Sequence, residues 1–246
     1  MSGDRVAIVL GGAGSVGAAL LTELLRDDGF GTVVALVRRP LPTSIRNADK
    51  TGGRLVEHLV PDMTPEHLAA AIPDVLRTIS GEVEGFSALG VGARTASLTL
   101  EQHRAVDVTL NGAFARALRD SGRVRHLSFL SAVGADARAS TGGSGAAGSA
   151  RYRRVKGESE ATVQANGPSV VSVFRPAMII GSQHTPWVLE KTLPLFSFIT
   201  PAKYRSIRVD QIARAMIAAA KQHPATSAVY HYAEMLALGE NAGASR

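Results

Sequence analysis

Apolar residues along this chain follow two rhythms. Short β-rich runs stand at residues 6–10, 33–37, 55–60, 126–131 and 169–174, bounded by Gly, Pro or charged positions. Between them lie longer stretches in which apolar residues return every three or four positions. The first rhythm predicts buried strands and the second predicts amphipathic helices. A helix is expected over 18–25 and another from Pro65 to about residue 79, bent at Pro73. Thr64 supplies the N-cap hydroxyl of that helix, with Pro65 at its first position and Glu66 in its first turn. Residues 85–90 read as a fourth strand running into a loop. A long helical pattern covers 100–118, and further helices are expected over 150–166 and 212–220. Residues 40–54 read as a polar loop. The Gly/Ser-rich stretch 139–149 has too little side-chain surface to pack and reads as a mobile loop. The tail beyond Leu238 is expected to be disordered.

Strands alternating with helices at this spacing imply an α/β fold, a Rossmann-like, doubly wound parallel sheet with helices on both faces and right-handed crossovers. No repeat or linker divides the chain, so a single domain over 1–246 is expected, with small substrate-covering segments at about 137–150 and 181–205. Composition changes this picture little. A chain of 246 residues with 45% hydrophobic and 20% charged residues can build one substantial core. The net charge of +6 comes mainly from arginines scattered along the chain, with no basic run and no nucleic-acid motif, so nucleic acid is not an expected partner. The absence of cysteine excludes disulfides and thiolate chemistry. The seven histidines show no ligand spacing, so no metal is expected. No apolar run approaches the roughly 18 residues of a membrane span, so no membrane partner is expected. A strand beginning by residue 6 leaves no room for a leader, and the expectation is a cytoplasmic protein.

The turn between the first strand and helix carries Gly11, Gly14 and Gly17, a GxxGxxG spacing in the strand–turn–helix context that a dinucleotide fingerprint requires. Glycine serves there for a tight turn, for close approach of backbone amides to a pyrophosphate, and for helix–strand packing. The anion sits at the helix N-terminus, where unpaired amides favour negative charge. NAD-preferring versions of this arrangement place a carboxylate about 20 residues later, on the ribose 2′-hydroxyl. Here Arg38 and Arg39 end the second strand, and a guanidinium suits a 2′-phosphate. NADP(H) is therefore expected in preference to NAD(H).

Tyr152 and Lys156 lie four apart on the helix after the Gly/Ser-rich stretch, hence on one helix face. A phenol with an ordinary pKa near 10 is a poor acid or base at neutral pH. A neighbouring ammonium favours the phenolate and can also hydrogen-bond a ribose.

Together, the glycine turn, the fifth-strand serine, Tyr-x-x-x-Lys and a later Arg175–Pro176 resemble the short-chain dehydrogenase/reductase superfamily, and the GxxGxxG form resembles its atypical branch. The runs at 130–136, 155–158 and 173–176 are similar to the HIV Tat-interacting-protein oxidoreductase group. The resemblance implies a catalytic set of Ser131, Tyr152 and Lys156, with Tyr152 as acid/base and Lys156 as its partner. It implies that Gly11, Gly14, Ser15, Val16 and Gly17 hold the pyrophosphate and that Arg38 and Arg39 hold the 2′-phosphate. Asp62 would lie near the adenine, Leu89 and Gly90 would border the adenosine, and Pro176 would complete the cofactor site. One departure stands out. Many members carry a second hydroxyl directly after the fifth-strand serine, whereas here Ser131 is followed by Ala132. Ser131 itself, or Ser140 or Thr141 from the loop, remains to polarise a carbonyl.

The expected function is an NADP(H)-dependent oxidoreductase acting on a small carbonyl/alcohol substrate. The alternative is an NADP(H)-sensing regulatory protein that binds a protein partner or forms a homo-oligomer. His184 near Trp187 is a lesser candidate for a substrate pocket. The apolar stretch 187–200 is expected to form a flap, and the helix over 212–220 to close the fold.

Overall fold

In the computed structural model, which describes residues 5–181 and 205–243, the β-rich runs become parallel strands of one sheet. These are β1 (Arg5–Leu10), β2 (Phe30–Val37), β3 (Leu55–Leu59), β4 (Glu82–Ser87), β5 (Val124–Leu130) and β6 (Val170–Phe174). Two short strands, β7 (Met178–Ile180) and β8 (Ser206–Arg208), pair with each other apart from it. β9 (Ala228–Tyr230) completes the main sheet in the order β3-β2-β1-β4-β5-β6-β9. Every pairing in it is parallel.

The helices are α1 (Ser15–Arg26), α2 (Thr43–Arg46), α3 (Pro65–Thr78), α4 (Leu100–Arg104), α5 (Asn111–Asp120), α6 (Ala150–Asn166), α7 (Val209–Lys221) and α8 (Tyr232–Gly243). Strands buried on both faces explain the apolar runs: Ala7 and Val9 face one core, while Val6, Ile8 and Leu10 face the other. The first core packs α1, α7 and α8 through Leu20, Leu24, Met216 and Met235 against Phe86 and Phe174. The second packs α3, α5 and α6 through Ile72, Phe114 and Val163 against Leu127 and Phe129. The fold is the single doubly wound α/β domain that the alternation predicts.

Several sequence expectations are corrected. The tail past Leu238 is not disordered among the described residues: α8 continues to Gly243, anchored by buried Met235 and Leu238. The loop at 40–54 contains α2, and Asp49 clasps the backbone amides of Gly53, Arg54 and Leu55. The expected helix over 100–118 widens into a π-helical segment, Ala105–Leu110, between α4 and α5. Strands β7, β8 and β9 are additions; their three residues each give no readable alternation. His184, Trp187 and the expected flap lie outside the described residues, as does most of the substrate-covering segment at 181–205.

One polar line crosses the first core. The imidazole of His126 on β5 shares hydrogen bonds through Nδ1 with Glu84 on β4 (2.9 Å) and through Nε2 with the Ser172 hydroxyl on β6 (2.9 Å). All three side chains are buried.

Candidate active site

The parallel sheet gathers the sequence-predicted residues at one edge, because every strand ends there. The glycine turn follows β1, Arg38 and Arg39 follow β2, Asp62 follows β3, Leu89 and Gly90 follow β4, Ser131 follows β5 and Pro176 follows β6. In doubly wound sheets this carboxyl edge is where ligands bind.

Three glycines of the turn do three different jobs. Gly11 adopts φ +85°, and a Cβ there would lie 2.5 Å from the Leu89 amide nitrogen. A Cβ on Gly17 would lie 2.1 Å from the Gly11 carbonyl oxygen, so α1 packs directly on the turn. Gly14 is exposed, and the nearest atom to its Cβ position is the Gly11 oxygen at 3.4 Å. Gly14 is also the N-cap of α1, with extended backbone and no side-chain cap. The helix therefore presents its first amides, including those of Ser15 and Val16, towards the space above Gly14. A side chain at 14 would enter that open space. Arg38 and Arg39 are exposed and form no ion pair among the described residues.

Tyr152 and Lys156 are set by how α6 begins and what it touches. Ser149 caps α6 by accepting from the Tyr152 amide (3.2 Å). A Cβ on Gly157 would lie 2.1 Å from the Ala137 amide nitrogen, so α6 rests on the turn after β5. Tyr152 is half-buried, its ring 5.9 Å from that of His103. The Lys156 ammonium is 5.9 Å from the Tyr152 ring centroid and 2.6 Å from Asp107 Oδ1. It lies beneath Gly90, whose Cβ position is 3.3 Å from Lys156 Nζ. The ammonium thus sits between the phenol and the loop expected to border the nucleotide.

Asp107 comes from the π-helical segment. The wider turn leaves the Asp107 carbonyl to accept from Asn111 Nδ2 (2.9 Å) and from the Ser159 hydroxyl, and its carboxylate accepts from the Val91 amide (3.0 Å). Burial raises the Asp107 carboxyl, but the Lys156 charge, with the neighbouring His103 and the contact to Lys156, outweighs it and brings the pKa down to about 2. Burial lowers the Lys156 ammonium, and the charges of Asp107, Tyr152 and Glu160 lift it above the ordinary lysine range. A depressed carboxyl contributes stability above its unfolded pKa near 3.9, and that contribution is lost as pH falls towards the folded value. Asp107→Asn is expected to cost about 3–5 kcal/mol at pH 7, because it strands a buried ammonium. Urea unfolding at several pH values should show the gap to the parent narrowing between pH 4 and pH 2. A gap independent of pH would contradict the pairing.

Ser131 is buried and its hydroxyl donates to Glu160 on α6. Glu160 in turn accepts both arms of Arg175 after β6. Ala132 follows with 8% exposure. On the outer side of α6, Glu158 receives Arg104 and Arg154. Sequence reasoning missed His103, Asp107, Asn111 and Glu160. A signal for the first three was present: they recur every four positions, a polar line on a helix face that the structure buries.

No protein-family model matches the chain. In sequence it is similar to the protein FMP52, mitochondrial, of Eremothecium gossypii, 30% identical over 179 residues that make up 73% of this chain and 68% of that protein. The chain belongs to the FMP52 family. Relatives of the same name come from Aspergillus fumigatus, 28% identical over 85% of this chain and 84% of that protein, and from Aspergillus niger. All three are named as mitochondrial, which overturns the cytoplasmic expectation. That expectation rested on the early first strand, and a folded core does not encode its compartment. In structure the FMP52-family chain is similar to a short-chain dehydrogenase/reductase from Serratia marcescens, with TM-score 0.69 and 17% identity, over 95% of this chain and 99% of that one. It is likewise similar to MoeE5 in complex with UDP-glucose and NAD, with TM-score 0.62 and 20% identity, over 96% of this chain and 82% of that one. The fold is that of NAD(P)-binding short-chain dehydrogenases and epimerases.

Proposed function

We propose that this FMP52-family protein is an NADP(H)-dependent oxidoreductase that interconverts a carbonyl and an alcohol, with Tyr152 as the acid/base. The observation that carries this reading is Lys156, buried beneath Gly90 with Tyr152 beside it on the same helix face. The open cradle at Gly14 fits the diphosphate of a dinucleotide. Gly11, Gly14, Ser15, Val16 and Gly17 would hold that diphosphate, Arg38 and Arg39 the 2′-phosphate, and Asp62, Leu89 and Gly90 the adenosine. Lys156 and Pro176 would border the nicotinamide end. When bound, the nicotinamide supplies or accepts a hydride at the substrate carbon. Tyr152 gives its phenolic proton to the carbonyl oxygen in reduction and takes it back in oxidation. The Ser131 hydroxyl donates to Glu160 in this form and would have to leave it to reach a substrate. Ser140 and Thr141, both exposed on the loop after β5, are the other hydroxyls within this reading. The likeness to the Tat-interacting-protein group rests on the sequence motifs alone. The relatives' names point to mitochondria as the compartment.

A second reading, a nucleotide-sensing regulator that binds a protein partner, is favoured by Ala132 and by the engagement of Ser131. Turnover of a carbonyl panel with NADPH, followed by absorbance, decides between the two.

Cofactor choice has its own test. Calorimetry is expected to show NADPH binding more tightly than NADH. Replacing Arg38 and Arg39 with alanine should narrow that gap by about 10- to 100-fold, the worth of charge-assisted hydrogen bonds of roughly 1.5–3 kcal/mol. Equal affinities in the parent protein would sink the preference.

A further inference from the structure

His103 is fully buried (0% exposed), and among the described residues neither ring nitrogen has a partner within hydrogen-bond distance. Unsatisfied buried polar groups cost stability, on the order of 1–3 kcal/mol each, and call for an explanation. This imidazole lies where a proton matters. Its Nε2 is 3.8 Å from Asp107 Oδ1, the same oxygen that holds Lys156 at 2.6 Å. Its ring lies beside that of Tyr152 at an interplanar angle of 32°. Among the described residues, the charged groups around it have other partners. On its own helix Arg104 turns outward to Glu158, which Arg154 of α6 also holds. Arg151 of α6 is spent on the carbonyls of Thr95 and Leu98. From the loop after β4 comes the Val91 amide, on the other Asp107 oxygen. Among the described residues, Asp107, Lys156 and Tyr152 remain as the titratable groups that face His103.

Asp107 is 1% exposed, and a buried carboxylate stripped of its counter-ion is strongly destabilised. While Lys156 neutralises Asp107 at 2.6 Å, part of its donor capacity and charge is spent on that carboxylate. We propose that His103 is a positioning residue that takes up a proton when nucleotide binds, closes on Asp107 as the replacement cation, and so releases Lys156 to the nucleotide and Tyr152. The inference rests on the nucleotide-binding reading above. The proton balance is simple. An acid in the buffer loses a proton, an N–H bond forms on the imidazole nitrogen that faces Asp107, and the ion pair of Asp107 passes from Lys156 to His103. Since a proton enters with the nucleotide, affinity should rise as pH falls, by up to about tenfold per pH unit for one proton.

The experiment is calorimetry of NADPH binding to the full chain at neutral pH, in two buffers of different ionisation enthalpy. About one proton should be taken up per nucleotide by the parent, and none by His103→Gln or His103→Phe. Binding without proton uptake in the parent, or uptake that persists in His103→Gln, overturns the proposal while leaving nucleotide binding intact. A second arm needs neither nucleotide nor a change at 103. In Lys156→Met the carboxylate of Asp107 loses its cation, and nitrogen NMR should show the His103 imidazole doubly protonated at neutral pH. A neutral His103 in that variant overturns the proposal even if the parent binds no NADPH, a result that would defeat the nucleotide reading on its own.

Discussion

Tyr152→Phe is expected to leave NADPH affinity nearly unchanged and to cut turnover by roughly 10²–10⁴-fold, the range for loss of a positioned acid/base. The ring stays, so the packing against His103 stays, and only the proton-carrying oxygen is removed. Lys156→Met should harm both binding and turnover, because the ammonium faces the nucleotide side beneath Gly90 as well as the phenol. Ala132→Ser restores the hydroxyl that resembling enzymes carry. It is expected to raise activity, since the neighbouring Ser131 hydroxyl is held by Glu160. Steady-state rates on any substrate the parent turns over check all three, and activity that survives Tyr152→Phe would exclude the mechanism.

Two glycines three residues apart should respond in opposite ways. Gly17→Ala is expected to cost more than about 4 kcal/mol and to prevent stable folding. Its Cβ would lie 2.1 Å from a backbone oxygen and 2.9 Å from the Gly12 Cα, atoms that no rotamer change can move. Gly14→Val should fold, since the site is exposed and its extended backbone (φ −77°, ψ 167°) suits a β-branched residue. Its methyl groups would occupy the cradle, and NADPH binding should be lost. Thermal melts and calorimetry on the two variants separate packing from binding. NADPH binding retained by a folded Gly14→Val protein would place the nucleotide elsewhere.

The contrast shows what was legible in the chain. The glycine spacing announced a strand–turn–helix, and the apolar runs announced a parallel sheet, because both follow from local backbone geometry and burial period. Tyr152 and Lys156 were legible because a helix places residues four apart on one face. The spacing of His103, Asp107 and Asn111 marked a polar helix face, but not the role of Asp107, which depends on a π-helical widening and on an ion pair across 49 positions of sequence. The role of Ser131 was obscured for a similar reason. Its partner Glu160 belongs to a helix whose packing against β5 is settled by tertiary contact, not by motif. β9 and α8 escaped notice since a three-residue strand carries no period, and the helix after it is held by Met235 and Leu238 against α7.

The buried line Glu84–His126–Ser172 bears on how three neighbouring strands find their alignment. Apolar contacts tolerate sliding, since one valine replaces another at little loss. Side chains along a strand alternate between faces, so moving β5 one residue along β4 and β6 would turn the His126 ring into the opposite layer, away from Glu84 and Ser172. It would strand Glu84 and Ser172 among hydrocarbon at the same time. A slip of two residues would restore the face but place the imidazole some 6–7 Å from either partner, beyond hydrogen-bond reach. Misaligned sheets are therefore penalised at every offset, and these polar side chains act as a vernier that admits one setting of the centre of the barrel-less, fully parallel sheet.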